Sequence, residues 1–171
     1  MPTEYILAYH CAPAFAGIKP SNIASCSKRE NPNITVQIKM LNEKLNKNDI
    51  YIDVLCECGE RVLLMVYRKQ KLCEYLQRDD IKSFLCDNGY PKEFSLAKYL
   101  AILKSRIYAQ RLMNKEFPHE IGAFLGYPLH DIYGFINHKH QGCLLTGEWK
   151  VYENTEQAKN YSVVIINAVR Q

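Results

Sequence analysis

Residues 117–136, FPHEIGAFLGYPLHDIYGFI, constrain the backbone more tightly than any other stretch of this chain. Pro118 suits a first helical position, where its missing N–H costs nothing. Gly126 suits a left-handed helix C-cap, and Pro128 the start of a second helix. The punctuation predicts two short helices meeting at a rigid corner, with Phe124, Leu125, Phe135 and Ile136 on its inner face. His119, Glu120 and Asp131 then fall near helix starts. Tyr127, held between Gly126 and Pro128, must project its ring from a turn, either stapling the corner or lining a pocket.

The rest of the chain reads as mixed α and β. Residues 4–10 (EYILAYH) form an apolar run too short for periodicity to separate strand from helix, and a strand is favoured. Pro13, Gly17 and Pro20 interrupt the chain, and Ser21 and Asn22 are placed to cap a short turn. Residues 35–47 carry Val36, Ile38, Met40, Leu41 and Leu45 with lysines between, an amphipathic helix. Residues 50–55 and 62–67 are β-branched and apolar, and the intervening Cys56-Glu57-Cys58-Gly59-Glu60-Arg61 makes them a hairpin. Short helices follow over 71–76 and 79–86, the second with Asp79 and Asp80 in its first turn. Ser95 caps a longer helix whose Leu96, Leu100, Leu103 and Ile107 recur at core-facing spacing. Residues 149–152 read as a last strand before a helix from about Thr155.

With 171 residues, 47% of them hydrophobic, the chain can bury one substantial core. The expectation is a single-domain α+β protein spanning residues 1–171, a small, largely antiparallel sheet around the central hairpin, packed by several helices. A net charge of +4 is too mild to imply nucleic acid without a localised patch. No apolar run reaches the ~18–20 residues that span a bilayer, and residues 1–9 lack the basic start of a secretory signal. A soluble cytoplasmic protein without a membrane partner is expected. Its seven cysteines are odd in number and scattered, so in a reducing compartment they are expected to be thiols.

Two runs carry candidate chemistry. In HCAPAFAGIKP (residues 10–20), Cys11 supplies a nucleophile type, with His10 beside it. His119 and either Glu120 or Asp131 supply the base and its orienting group. His10 is a poor activator of Cys11 if the run is extended, because neighbouring strand residues point to opposite faces. Gly17 and Lys19 are candidate anion binders, and Tyr127 a candidate pocket wall. If catalytic, such a site fits acyl or thiol transfer. The competing reading makes Cys11 a small buried core residue, His119 a solvated helix start and Lys19 a surface lysine.

Other groupings are thinner. Cys56 and Cys58, with His138, His140 and Cys143, are soft-metal ligand types, but no second closely spaced cysteine pair completes a structural zinc set. The corner has the small and apolar spacing of a helix-turn-helix, yet its second helix carries no Arg or Lys before Lys139, so nucleic-acid binding is not expected. Lys104, Arg111 and Lys115 form a basic line that reads as a solvated helix face. Trp149 and Tyr152 read as core plugs.

HCAPAFAGIKP, CECGERVLLMVYR, FPHEIGAFLGYPLHDIYGFI and EWKVY, in that order, resemble an uncharacterised bacterial family found largely in anaerobic Firmicutes and catalogued as a domain of unknown function. The resemblance runs from about Tyr5 to Tyr152 and implies no activity, ligand, cofactor or catalytic residue. Relatives tend to carry several cysteines before the WKVY run and a longer cysteine-bearing tail. Here Cys143 stands alone, followed by Leu144, Leu145, Thr146, Gly147 and Glu148, which removes the support for a metal site built from that cluster. The functional expectations are thiol-dependent transfer in a Cys/His pocket, or a non-catalytic module binding a metal, cofactor, small molecule or partner protein. The family's distribution associates the latter with anaerobic redox or metal metabolism.

Overall fold

A computed structural model of the chain describes residues 1–138, 141–146 and 149–169. Its organising element is the strand Arg61–Arg68 (β3), whose core Val62–Tyr67 is buried throughout. A strand covered on both faces reads as an unbroken apolar run rather than an alternation. Two antiparallel neighbours flank it, Ser21–Ser27 (β1) and Ile50–Cys58 (β2), giving the order β1-β3-β2. The pleat sends Val62, Leu64 and Val66 to one face and Leu63, Met65 and Tyr67 to the other. Gly59, with φ +53°, makes the left-handed turn between β2 and β3.

Each face builds its own core. On the first, helix Thr3–Phe15 (α1) packs Leu7, Cys11 and Ala14, and helix Ile34–Leu45 (α2) packs Ile34 and Ile38. The second face is covered by Lys69–Leu76 (α3), Asp79–Asp87 (α4), Leu96–Leu112 (α5), Ile121–Phe124 (α6) and Leu129–His138 (α7). Ser95 caps α5 by accepting the Lys98 amide, and Leu100, Leu103 and Ile107 are buried as the spacing predicts. A short ladder of Leu145–Thr146 (β4) and Lys150–Val151 (β5) follows. Helix Thr155–Val169 (α8) then returns to α1, with the Tyr161 hydroxyl donating to the Ile18 carbonyl at 3.3 Å. The α+β class, the antiparallel sheet and its hairpin agree with the sequence reading.

Three local expectations fail. Residues 4–10 belong to α1 and are not a strand, because the apolar positions continue at Cys11 and Ala14 with helical period and Pro13 falls only in the last turn. Ser21 and Asn22 do not cap a turn; they open β1, and their buried polar atoms have tertiary partners. The Ser21 hydroxyl donates to the Phe124 carbonyl at 2.7 Å, and Asn22 Oδ1 accepts the Ala14 amide at 3.0 Å. Pro118 does not begin a helix. Residues 118–120 form a tight turn whose carbonyls accept the Ile121, Gly122 and Ala123 amides, and α6 starts only at Ile121.

The corner itself is as rigid as its punctuation requires. Gly126 sits at φ +76°, and a Cβ there would meet Pro20 Cδ at 2.8 Å. Both the left-handed backbone and the close approach to the residues 10–20 run demand glycine.

Candidate functional site

The run containing Cys11 ends a helix, and that settles what its groups can do. Gly17 lies at φ +73°, and the amides of Gly17 and Lys19 are donated to the Ala14 and Pro13 carbonyls. This is the carbonyl-rich, partially negative end of α1, the wrong polarity for an anion. Cations occupy it instead. Arg68 donates to the Ala14 carbonyl at 3.1 Å and to the Phe15 carbonyl, and Lys71 donates to the Gly17 carbonyl. The Gly17 and Lys19 amides, expected as anion binders, are thus engaged within the helix end.

Cys11 is fully buried with Leu7, Cys26, Leu64 and Val66 on the first face of the sheet. Burial pushes its thiol up to about 12, with Cys26 adding to the shift and Lys19 opposing it. His10 is exposed on α1, its ring edge-on to Tyr9. The corner packs against the opposite face, so β3 separates Cys11 from His119, Glu120 and Asp131. A thiol buried and raised this far is a poor nucleophile, and the fold does not bring His119 to Cys11.

Glu120 and Asp131 are buried carboxylates whose acceptor capacity serves the fold. Glu120 Oε1 accepts from Arg106 Nη1 at 2.6 Å, while Tyr90 Oη lies at 3.5 Å. The same guanidinium sits over the Tyr90 ring and donates to the Asn88 carbonyl, tying the corner to α4 and α5. Asp131 accepts the Trp149 indole N–H and the Tyr152 amide, each at 2.7 Å, and the Glu153 amide at 3.3 Å. Its job is to clamp the β5 segment onto α7.

That clamp helps to shape an apolar concavity at the corner. Asp131 holds Trp149 so that its ring stacks on Tyr127, with centroids 5.1 Å apart, and Lys19 Nζ lies 4.9 Å from the Tyr127 ring on the inner side. Lys19 is buried, and this contact is where the 10–20 run meets the corner. Beside the stack opens a cavity of about 470 Å³, walled by Phe117, Pro118, Ile121, Ile132, Phe135 and Trp149. His119 lies exposed at its rim, edge-on to Phe135 at 5.6 Å, with Glu116 and Lys150 on the same border. The sequence reading cast His119 as a base for Cys11 and left Tyr127 as either a staple or a pocket wall, and it took Trp149 for a core plug. The signal was available: Trp149 is the only tryptophan.

The remaining sequence candidates disperse. Among the described residues no three His, Cys, Asp or Glu side chains gather as a metal-binding set. His138 stacks on Tyr152, Cys143 Sγ is 3.6 Å from Thr146 Oγ1, and His140 lies outside the described residues, as does Lys139. Of the basic line, Lys104 reaches the sheet, and Lys115 lies beyond the end of α5. Lys104 pairs with Asp53 at 3.0 Å, and Arg111 lies over the Phe117 ring. Among the described residues, no helix is long and apolar enough to cross a membrane.

An antiparallel three-stranded sheet between two helical layers, with an apolar cavity at a proline- and glycine-punctuated corner, defines the class of this protein as α+β. Residues 7–167 match the family described as Protein of unknown function (DUF3793), and the chain belongs to that family. No curated protein and no solved structure matches the chain.

Proposed function

We propose that this protein is a binding module for a small, ring-bearing apolar molecule held at the corner cavity. The observation that carries this reading is the wall chemistry: an open cavity of about 470 Å³ whose surface is almost wholly aromatic and aliphatic. Small-molecule sites are typically concave, apolar and several hundred Å³, with a few polar groups fixing orientation. Here the Tyr127–Trp149 stack offers a flat face and His119 a hydrogen-bonding rim. Asp131, itself on the lining, holds Trp149, and Glu120 ties the corner to Arg106, so the walls are braced by buried carboxylates. The non-catalytic alternative is thus favoured over transfer at Cys11, whose thiol lies across the sheet.

Trp149, the single tryptophan, borders this cavity and also a second one beside α8, whereas Phe135 borders only the first. Titration with the amphipathic dye 8-anilinonaphthalene-1-sulfonate should quench Trp149 emission and enhance dye emission together. Phe135→Ala, which removes one wall, should weaken both responses several-fold while the far-ultraviolet dichroism stays native. Dye binding without Trp149 quenching, or with unchanged affinity in the Phe135→Ala protein, would place the dye elsewhere and overturn the assignment.

A further inference from the structure

At the far end of the hairpin a different site emerges from the register of β2. Val54 pairs with Leu64 and Cys56 with Leu63, so Leu55 is a bulge residue opposite no partner of its own. A bulge shifts the side-chain alternation by one residue. Ile52 and Val54 face α1 and α2, but Cys56 and Cys58 are turned to the other face, toward α5. Two residues apart on one face, their sulfurs lie 2.8 Å from each other, inside ordinary non-bonded contact. Cys56 is buried and Cys58 partly exposed.

Cys58 opens into a cavity of about 620 Å³ between the hairpin turn and the end of α5, bordered by Glu57, Tyr108, Arg111, Lys115 and Phe117. Arg111 borders the same cavity as Cys58 and, with Lys28, sets positive charge near its sulfur, while Lys28 pairs with Glu57 at 2.8 Å. We propose that Cys56 and Cys58 are a redox-active dithiol whose exposed member, Cys58, attacks disulfides of small carboxylate-bearing thiols that enter this cavity. Burial pushes Cys56 up to about 11, whereas the bond from Cys56, then Arg111, holds Cys58 below the usual thiol range. The attacking and resolving roles follow from that asymmetry.

The chemistry balances without a further reactant. The Cys58 thiolate attacks one sulfur of R–S–S–R; that bond breaks, Cys58–S–S–R forms, and RS⁻ leaves. Cys56 gives up its proton and attacks the Cys58 sulfur, releasing the second RS⁻ and closing a Cys56–Cys58 disulfide. The protein loses two electrons, and one disulfide becomes two thiols after proton uptake. This site is independent of the corner cavity, although Phe117 borders both.

Oxidised glutathione is the probe. The full chain is incubated with it, quenched in acid and mapped by mass spectrometry. The wild-type protein should yield a peptide carrying the Cys56–Cys58 disulfide, and Cys56→Ser should accumulate the glutathionyl adduct on Cys58. Arg111→Gln should slow capture at neutral pH, because it removes positive charge that favours the Cys58 thiolate. Comparable adduct formation at Cys58, Cys73, Cys86 and Cys143, or wild-type protein that never closes the pair, overturns the proposal. Wild-type mapping alone decides if the Cys56→Ser chain fails to fold.

Discussion

Removing the Asp131 carboxylate should cost this protein a substantial part of its stability and release Trp149 from the cavity wall. The carboxylate is buried and accepts two short bonds, from the Trp149 indole and the Tyr152 amide, with a longer one from Glu153 sharing Oδ1. A hydrogen bond to a charged group contributes about 1.5–3 kcal/mol, and two such bonds give about 3–6 kcal/mol. The β4–β5 segment can move outward so that its donors reach water, which favours the lower end. Asp131→Ala should therefore cost about 3 kcal/mol. Asp131→Asn, which keeps one acceptor but turns an amide N–H₂ toward a donor, should cost about half as much. Urea unfolding followed by far-ultraviolet dichroism measures the global loss, and native-state Trp149 emission measures the local one. The account expects a lowered midpoint and red-shifted native emission. A loss below about 1 kcal/mol with unshifted emission would refute the clamp.

Three further perturbations probe other parts of the fold. Gly134→Ala in α7 should destabilise by about 1–3 kcal/mol in thermal unfolding, reversing the usual helical gain of about 1 kcal/mol, because the new methyl would meet Tyr152 Cβ at 2.7 Å; a raised melting temperature contradicts it. Arg68→Ala, which uncaps the α1 carbonyls of Ala14 and Phe15, should cost about 1–3 kcal/mol in urea unfolding, and a neutral result contradicts the cap. Cys11 has an acid form favoured by folding, its thiol raised from 9.0 to about 12, so above pH 9 the unfolded chain binds fewer protons and stability falls up to about pH 12. Cys11→Ala should flatten that alkaline decline in denaturation midpoints, whereas an unchanged slope would assign the decline to other groups.

Which of these features the sequence announces depends on whether the cause is local. The corner was legible because Gly126 and Pro128 act through their own backbone dihedrals. The α5 stripe was legible because Leu100, Leu103 and Ile107 follow a helix period over about two turns. Residues 4–10 misled because the period of α1 becomes visible only with Cys11 and Ala14, the latter beyond Pro13, which reads as a stop. β1 was hidden by its polarity: Ser21 and Asn22 are tolerable inside only because Phe124 and Ala14 supply partners from other elements. Glu120 looked catalytic for the same reason, since Arg106 lies on a different helix. The cysteine pair's orientation depends on a one-residue bulge at Leu55, which no composition or spacing rule exposes.

The central claim, that the corner cavity and not the Cys11 layer is the binding site, is tested most directly by isoleucine methyl shifts during titration with 8-anilinonaphthalene-1-sulfonate. Ile121 and Ile132 line the cavity, while Ile34, Ile38 and Ile52 pack with Cys11 on the other face of the sheet. The account predicts saturable shifts of the Ile121 and Ile132 methyls with Ile34, Ile38 and Ile52 unmoved. Shifts confined to Ile34, Ile38 and Ile52, or spread evenly over both layers, would contradict it.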